Sequence, residues 1–245
     1  MQWAVVAVTA ALLVYGAGRI AATLITLSSS QAAALARGAL VTFLRVELTL
    51  LLSALWTVPA GVFIGLRPRL AAAAQPIAQI AASIPATALF PILVLFLIQA
   101  GGGLGIASIL LLMLGTQWFI LFNVIAGASA IPTDLREVCD VYGLSHAQQW
   151  RRLFLPGVFP FLVTGIVTAS GGAWNASVVA EYVRFRGQTM ETAGLGAIIS
   201  RATDAGDYAM LLGATVLMVL IVVTVNRVVW RRLYRLASTR FLLEI

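Results

Sequence analysis

The sequence has no lysine, and its 245 residues include one cysteine, Cys139, and one histidine, His146. One cysteine forms no internal disulfide and offers no ligand set for a zinc or iron–sulfur centre. One histidine gives no metal-binding pair, and its place beside a predicted helix cap leaves no buried Ser/His dyad. Without lysine there is also no Walker motif for nucleotide phosphates. The sequence therefore excludes these catalytic and metal-binding classes.

Charged residues are also scarce. They make up 10% of the chain, while hydrophobic residues make up 61% and the mean hydropathy is +0.99. Soluble domains have roughly 25% charged and about 45–50% apolar residues, so this composition indicates a protein whose solvent is lipid. Because a span needs about 20 apolar residues, the chain has no room for a large extramembrane catalytic domain.

The net charge of +7 is carried by arginine alone. These arginines flank apolar runs and do not cluster with aromatic residues, which indicates topology signals and not a nucleic-acid surface. Ten of the sixteen lie in the segments 66–76, 131–157 and 227–245. The positive-inside rule places these segments in the cytoplasm. The sequence therefore predicts a multi-pass membrane protein with both termini cytoplasmic.

Long apolar runs predict an all-α membrane protein. Six spans are expected, at about 3–27, 39–65, 77–99, 104–129, 158–180 and 209–230. Pro85 and Pro91 predict a kink or break in the third span. The first transmembrane helix and an outer loop are expected at 1–38, followed by a core of five helices at 39–245. A second outer loop, 182–207, is expected to be partly embedded near 194–199.

The longest cytoplasmic connection, 131–157, predicts two short helices joined by a hinge. Thr133 is expected to be the N-cap of the first helix, and Gly143 to end it in the left-handed conformation. Ser145 is expected to start the second helix with a capping box, and Pro156 to stop it. Both helices have an apolar face, formed by Leu135, Val138 and Tyr142 and by Trp150, Leu153 and Phe154. With no other predicted cytoplasmic domain, both faces are expected to contact the membrane surface or a partner.

This loop carries a motif, Glu-Val-Cys, three residues, Gly, nine residues, then Leu-Phe-Leu-Pro, from Glu137 to Pro156. It resembles the EAA loop of ABC importer permeases, with identical residues at Glu137, Gly143, Leu155 and Pro156. In that family the loop is the coupling helix that docks into a groove of the cytoplasmic ATPase subunit. The resemblance assigns ATPase coupling to Glu137, Val138, Cys139, Asp140, Gly143, Leu153, Leu155 and Pro156.

The resemblance extends from about residue 40 to the C-terminus. Further motifs are similar to those of the nitrate, taurine and sulfonate class of binding-protein-dependent inner-membrane components. They are Thr-Phe-Leu-Arg-Val at 42–46, Gly-Thr-Gln-Trp at 115–118, Phe-Asn at 122–123, Gly-Gly-Ala-Trp-Asn-Ala-Ser at 171–177, Glu-Tyr at 181–182 and Gly-Leu-Gly at 194–196. The likeness is closest to one half of the duplicated anion permeases, in which two halves are fused. The chain is expected to be either a whole subunit or one such half.

The likeness implies a type I ABC importer permease fold with six transmembrane helices, and alternating access for a small nitrate-, sulfonate- or bicarbonate-like anion. The implied partners are a dimer of ABC ATPase subunits, a periplasmic or lipid-anchored substrate-binding protein, a second permease copy or half in a homodimer or pseudo-dimer, and the lipid bilayer, with no nucleic acid. The chain itself is expected to be no enzyme and to bind no cofactor, with ATP and Mg²⁺ bound by the ATPase subunits.

Seven polar or large residues in the spans are candidates for a translocation pathway or gate: Arg45, Glu47, Gln117, Asn123, Trp174, Asn175 and Glu181. For Arg45 and Glu47, two interpretations stay open: snorkelling to the outer interface, or an outer gate and anion contact. The four residues at 117, 123, 174 and 175 either bond neighbouring helices or line the pathway.

Two rival functions need different residues. An ion-coupled secondary carrier or channel works without an ATPase, and it predicts ionisable residues deep in several spans. The third, fourth and sixth predicted spans have none before Arg227. An intramembrane enzyme needs a nucleophile–base pair, for which the sequence offers no plausible candidates. The sequence therefore favours ATP-driven import, with the ion-coupled carrier as the alternative.

Overall fold

Helices make up nearly all of the computed structural model, which is described here for residues 2–240 except 100, 102 and 186. The helices are α1 (Gln2–Ile25), α2 (Ser29–Gly65), α3 (Pro68–Ser83), α4 (Ala86–Gln99), α5 (Leu104–Ser129), α6 (Thr133–Val141), α7 (His146–Gln149), α8 (Leu155–Ala180), α9 (Leu195–Ala205), α10 (Tyr208–Val225) and α11 (Arg231–Arg240). Two π-helical turns, Trp150–Phe154 and Asn226–Trp230, join α7 to α8 and α10 to α11.

Five of the described helical stretches are long and apolar enough to cross a membrane: Val8–Ile25, Ser29–Gly65, Leu104–Ser129, His146–Ala180 and Tyr208–Thr239. The pair α3 and α4 makes a sixth if the two are counted as one broken span, with a bend of 77° between them. Pro85 lies in that break, so the predicted interruption of the third span is confirmed. The architecture is the expected one of a helical multi-pass membrane protein.

The second helix begins at Ser29, nearly three turns before the predicted span. Ser28 caps it through a capping box with Gln31, because the Ser28 side chain accepts from the Gln31 amide while the Gln31 side chain accepts from the Ser28 amide. Residues 29–38, which the sequence predicts as outer loop, therefore belong to α2. The predicted boundary between 38 and 39 lies inside this helix.

The α5 helix lies at the centre of the bundle and packs against both α2 and α8. The core between them contains buried residues from each helix, including Val46 on α2, Ile120 and Val124 on α5, and Trp174 on α8. Since lipid tails are as apolar as these side chains, close van der Waals packing holds the helices together. The α1 helix packs mainly against α10, and its hydrophobic side chains are largely exposed, as suits contact with lipid.

The segment between α8 and α10 contains a hairpin and a short helix. Strands β1 (Tyr182–Phe185) and β2 (Gln188–Glu191) pair antiparallel, with Tyr182 opposite Glu191. The following helix, α9, buries its first turn within the chain, in the region near 194–199 that was predicted to be partly embedded; embedding in the membrane stays a prediction. The hairpin was not predicted, because two strands of four residues are too short for a clear period-two pattern.

Candidate functional sites

The first candidate site is the coupling loop, formed by α6, α7 and the turn between them. Thr133 is the first residue of α6, and Pro132 occupies the N-cap position without a side-chain hydrogen bond. The predicted cap at Thr133 is therefore wrong by one residue. The fixed φ of proline, −57° at Pro132, suits the extended residue that precedes a helix. Asp134 lies in the first turn, where its negative charge interacts favourably with the positive end of the helix dipole.

The end of α6 is a Schellman motif centred on Gly143, which has φ +59°. The Leu144 amide donates to the Cys139 carbonyl at 2.9 Å, and the Gly143 amide donates to the Asp140 carbonyl at 3.0 Å. This confirms the left-handed glycine that the sequence predicts. The turn fixes the direction in which α7 leaves α6.

The start of α7 is a capping box, as predicted. The Gln148 amide donates to Ser145 Oγ at 3.4 Å, and the Ser145 amide donates to Gln148 Oε1 at 2.8 Å. Gln149 Nε2 then donates to Asp140 Oδ1 at 3.1 Å, which ties α7 back to α6. Both turns of the loop are thus held by specific hydrogen bonds.

The prediction that Pro156 stops the second helix is wrong. One continuous helix runs from His146 through the π-helical turn and α8 to Ala180. The Leu155 amide bonds to the Trp150 carbonyl five residues back, so the wider π turn makes room for the pyrrolidine ring and tolerates its missing N–H. The coupling loop is therefore continuous with a membrane span.

The predicted coupling residues divide into an anchored set and an exposed set. Cys139 and Leu153 are buried in the core, whereas Glu137, Val138, Asp140, Gly143 and Leu155 are exposed and Pro156 is half-buried. Leu153 and Phe154 pack with Ile131 and Trp230 of the same chain. The expectation that the apolar face of the second helix needs a membrane or a partner is therefore wrong, because the chain itself covers that face.

The first helix does present an uncovered apolar surface. Val138, Val141 and Tyr142 are 49%, 84% and 78% exposed, and their spacing places them side by side on α6. We call these three residues the docking face. Val141 was missed at the sequence level, although its position three residues after Val138 was the available signal.

The second candidate site lies at the other end of the bundle, where α2, α8 and α9 meet. Arg45 Nη1 forms an ion pair with Glu181 Oε1; the two side chains are 7% and 0% exposed. Thr42 Oγ1 donates to the same carboxylate at 2.8 Å, and the Gly196 amide donates to Glu181 Oε2 at 2.7 Å. Arg45 Nη2 also donates to the Ala193 carbonyl at 3.0 Å. We call this cluster the outer brace.

The glycines of the Gly-Leu-Gly motif are explained by this brace. A Cβ at Gly196 would lie 2.5 Å from the Ser177 carbonyl oxygen and 2.7 Å from Val178 Cα, and a Cβ at Gly194 would overlap the Glu181 carboxylate. Only residues without a side chain leave room for the carboxylate between α8 and the start of α9. The Leu195 amide between them donates to Thr42 Oγ1 at 2.8 Å.

The structure disagrees with the snorkelling interpretation of Arg45, while a role as an outer gate or anion contact stays a prediction. Its guanidinium is buried against protein groups and does not snorkel to the interface. Glu47 is half-buried, and its Oε1 atom has no hydrogen-bond partner among the described residues. The brace thus unites two of the predicted pathway residues, Arg45 and Glu181, while Glu47 stays outside it.

The remaining predicted pathway residues do not form one site. Gln117 and Trp174 are buried, and Trp174 Nε1 has no hydrogen-bond partner in the described part of the chain. Asn123 Nδ2 donates to the Phe119 carbonyl of its own helix at 2.7 Å. Asn175 is exposed on α8. Their roles in a pathway stay predictions.

An exposed polar stripe runs along α8. Thr164, Thr168, Gly171 and Asn175 are all exposed and recur at intervals of four, three and four residues, so they share one helix face. The two threonine hydroxyls donate to carbonyls four residues back, at 3.1 and 3.0 Å. Sequence analysis singled out Asn175 but missed the threonines, whose spacing was the available signal.

Comparison with known proteins identifies the class. Residues 57–241 match the family described as "Binding-protein-dependent transport system inner membrane component". Since this match covers most of the chain, the protein belongs to that family.

Curated relatives include permease proteins of nitrate, bicarbonate and taurine transport systems. The chain is 28% identical over 167 residues to the nitrate import permease protein NrtB of Synechococcus elongatus, covering 68% of this chain and 56% of the relative. It is 31% identical over 132 residues to the bicarbonate transport system permease protein CmpB of a Synechocystis strain, covering 54% and 46%. It is 27% identical over 161 residues to the taurine transport system permease protein TauC of Escherichia coli, covering 65% and 54%. The chain therefore matches about half of the length of these relatives.

A solved structure has the same fold. One structure of inward-facing conformations of the MetNI methionine ABC transporter superposes with a TM-score of 0.68 at 25% identity, and the match covers 86% of this chain and 99% of that one. This likeness confirms the predicted permease fold of a type I ABC importer.

Proposed function

We propose that this chain is the membrane-spanning permease subunit of an ATP-driven importer that works by alternating access. The observation that carries the proposal is the docking face: three exposed apolar side chains on a short helix that ends in a Schellman motif and is followed by the capping box of α7. An exposed apolar patch of this kind marks a protein interaction site. The partner that fits is a separate ABC ATPase dimer.

The coupling loop is suited to transmit movement. Because helix continues from His146 to Ala180, a displacement of α7 moves α8 with it. Cys139, Leu153 and Phe154 anchor the loop in the core that also contains Trp174 of α8. In the proposed mechanism, closure of the ATPase dimer pulls the docking face, and α8 follows. The chain hydrolyses nothing itself and binds no cofactor, while ATP and Mg²⁺ are bound by the ATPase subunits.

The proposed pathway lies between this chain and a second permease copy or fused half. One chain leaves the polar stripe of α8 uncovered, and polar side chains in spans face a bundle interior or a water-filled cavity. A second copy related by twofold symmetry would face this stripe with its own and enclose a pathway. Lipid contacts the apolar outside of the pair.

The proposed substrate is a small anion of the nitrate, sulfonate or bicarbonate kind, delivered by a periplasmic or lipid-anchored binding protein. The printed names of the curated relatives support this class. The proposed location is a bacterial inner membrane, with the arginine-rich coupling loop and both termini in the cytoplasm. Arg45 and Glu181 belong to the outer brace, which in this proposal supports the entrance of the pathway.

The proposal is tested by co-purifying the chain with the ABC ATPase encoded beside it. Tyr142→Arg places a charge in the docking face, and Tyr208→Arg is the matched control, because both tyrosines are 78% exposed but Tyr208 begins α10 at the other end of the bundle. We expect the wild type and Tyr208→Arg to retain the ATPase and Tyr142→Arg to lose it. Equal retention by both variants, or no binding by the wild type, would support the ion-coupled carrier instead.

A further inference from the structure

A cavity of about 590 Å³ lies between the end of α2 and the coupling loop, with which it shares residues such as Asp140, and it is remote from the outer brace. It is a half-open cleft lined by the last turn of α2, by one side of α6 and by the start of the helix that leads into α8. Its polar lining includes Arg67, Arg136, Asp140 and His146, and its apolar lining includes Phe63 and Trp150. The proposed transport function assigns no role to this cavity.

The cavity is separate from the docking face. Successive residues of an α-helix are turned by about 100°, so positions 136 and 140 lie on the side of α6 opposite positions 138, 141 and 142. An ATPase bound to the docking face therefore leaves the cavity uncovered. The two arginines come from different elements, since Arg67 follows the end of α2 and Arg136 belongs to α6.

Both guanidinium groups are held in place yet keep unused donors. Arg67 Nη1 donates to the Phe63 carbonyl at 2.9 Å, and its guanidinium carbon lies 3.7 Å from the centroid of the Phe63 ring. Arg136 Nη1 donates to the Leu66 carbonyl at 3.2 Å. Neither arginine forms an ion pair with a carboxylate within the described residues. Because each guanidinium has five N–H donors, most of them are free for an anion with several oxygen atoms.

The surroundings place this anion at the membrane surface. Arg67 comes directly after the last turn of a span, and Phe63 in that turn is 55% exposed. Trp150 lines the opposite wall, and tryptophan is enriched at the level of lipid headgroups. Asp140, the acidic residue of the lining, already accepts a hydrogen bond from Gln149. The lining therefore combines net positive charge with an apolar rim beside the acyl chains.

We propose that this cavity binds the phosphate group of an anionic phospholipid from the cytoplasmic leaflet. Basic pockets between spans on this side of a membrane recognise such headgroups. Arg67 and Arg136 bind the phosphate oxygens, His146 adds a ring N–H donor, and the acyl chains lie against Phe63. The bound lipid bridges α2 and α6, and so steadies the coupling loop from the side opposite the docking face.

The test measures lipid binding to the purified full chain by native mass spectrometry, during titration with phosphatidylglycerol. The variant is Arg67→Gln with Arg136→Gln. The matched control is Arg69→Gln with Arg151→Gln, which removes two exposed arginines that do not line the cavity. We expect affinity for phosphatidylglycerol to fall about thirtyfold in the variant and to stay unchanged in the control, because each arginine contributes roughly a factor of five at an anionic surface.

Two further binding measurements distinguish the phosphate group of a lipid from free phosphate. Phosphatidylcholine is expected to bind weakly, since its choline group places a positive charge beside the two arginines. Inorganic phosphate is expected not to displace phosphatidylglycerol. Equal binding by the wild type and the variant, or an equal loss in the control, would overturn the site. Displacement by inorganic phosphate would overturn its assignment to lipid. None of these results depends on transport or on an ATPase.

Discussion

Arg45 and Glu181 are 136 positions apart in the sequence and form an ion pair in the interior of the chain. The pair joins the middle of α2 to the end of α8, and the Gly196 amide extends it to α9. Three elements, α2, α8 and α9, are thus held together at one carboxylate.

Removing one partner of this ion pair is expected to destabilise the protein. Arg45→Met leaves the Glu181 charge buried without its cation, so we expect a loss of about 3–5 kcal/mol of stability. In the double variant Arg45→Met with Glu181→Gln, about half of this loss should return, because no unpaired charge stays buried and the single amide oxygen still accepts one of the two hydrogen bonds that Thr42 and Gly196 donate to the carboxylate. Thermal unfolding in nanodiscs measures both changes. Arg37→Met, an exposed arginine of the same helix, is the control. A double variant no more stable than Arg45→Met would contradict the pairing.

The glycines beside the carboxylate are expected to tolerate no side chain. Gly196→Ala places a Cβ against backbone atoms of α8, so we expect a destabilisation of about 1–3 kcal/mol and reduced uptake. Gly16→Ala is the control, since a Cβ there meets nothing within 4 Å. The same unfolding assay applies. If both alanine variants are as stable as the wild type, the close approach of Gly196 to α8 is contradicted.

The sequence contains enough information for the spans and the turns of the coupling loop. Length and hydropathy predict helices, and Gly143 and Ser145 predict caps, because these signals act within a few residues of the chain. The contact between Arg45 and Glu181 depends on how α2 and α8 pack. Local sequence patterns therefore assign each residue to its span but do not predict that the two form a pair. The continuation of helix through Pro156 depends on a π turn that no residue type specifies.

Cys139 permits a direct test of the anchored and exposed sets in the coupling loop. Because it is buried and is the chain's only cysteine, we expect slow maleimide labelling in native membranes and rapid labelling after denaturation. In a Cys139→Ala background, Val138→Cys should label rapidly, and the bound ATPase should protect it. Rapid native labelling of Cys139 would contradict its position in the core. Labelling of Val138→Cys that the ATPase leaves unchanged would contradict the docking face.

The polar stripe of α8 is expected to contact water in the assembled transporter. In the Cys139→Ala background, Thr168→Cys should react with a membrane-impermeant thiol reagent during turnover. Leu220→Cys is the matched control, because Leu220 is also exposed within a span but lies in an apolar groove between α2 and α10. Equal inertness of the two cysteines would place the stripe in lipid or in a dry interface.

ATP-dependent uptake in proteoliposomes tests the central claim most directly. Vesicles would contain the chain, its second copy or half, and the ATPase, with binding protein outside and labelled nitrate, bicarbonate or taurine as substrate. We predict uptake that requires ATP on the side of the coupling loop, that is lost in Tyr142→Arg and that persists in Tyr208→Arg. Uptake driven by an ion gradient, without the ATPase and unaffected by Tyr142→Arg, would contradict the account and establish the ion-coupled carrier.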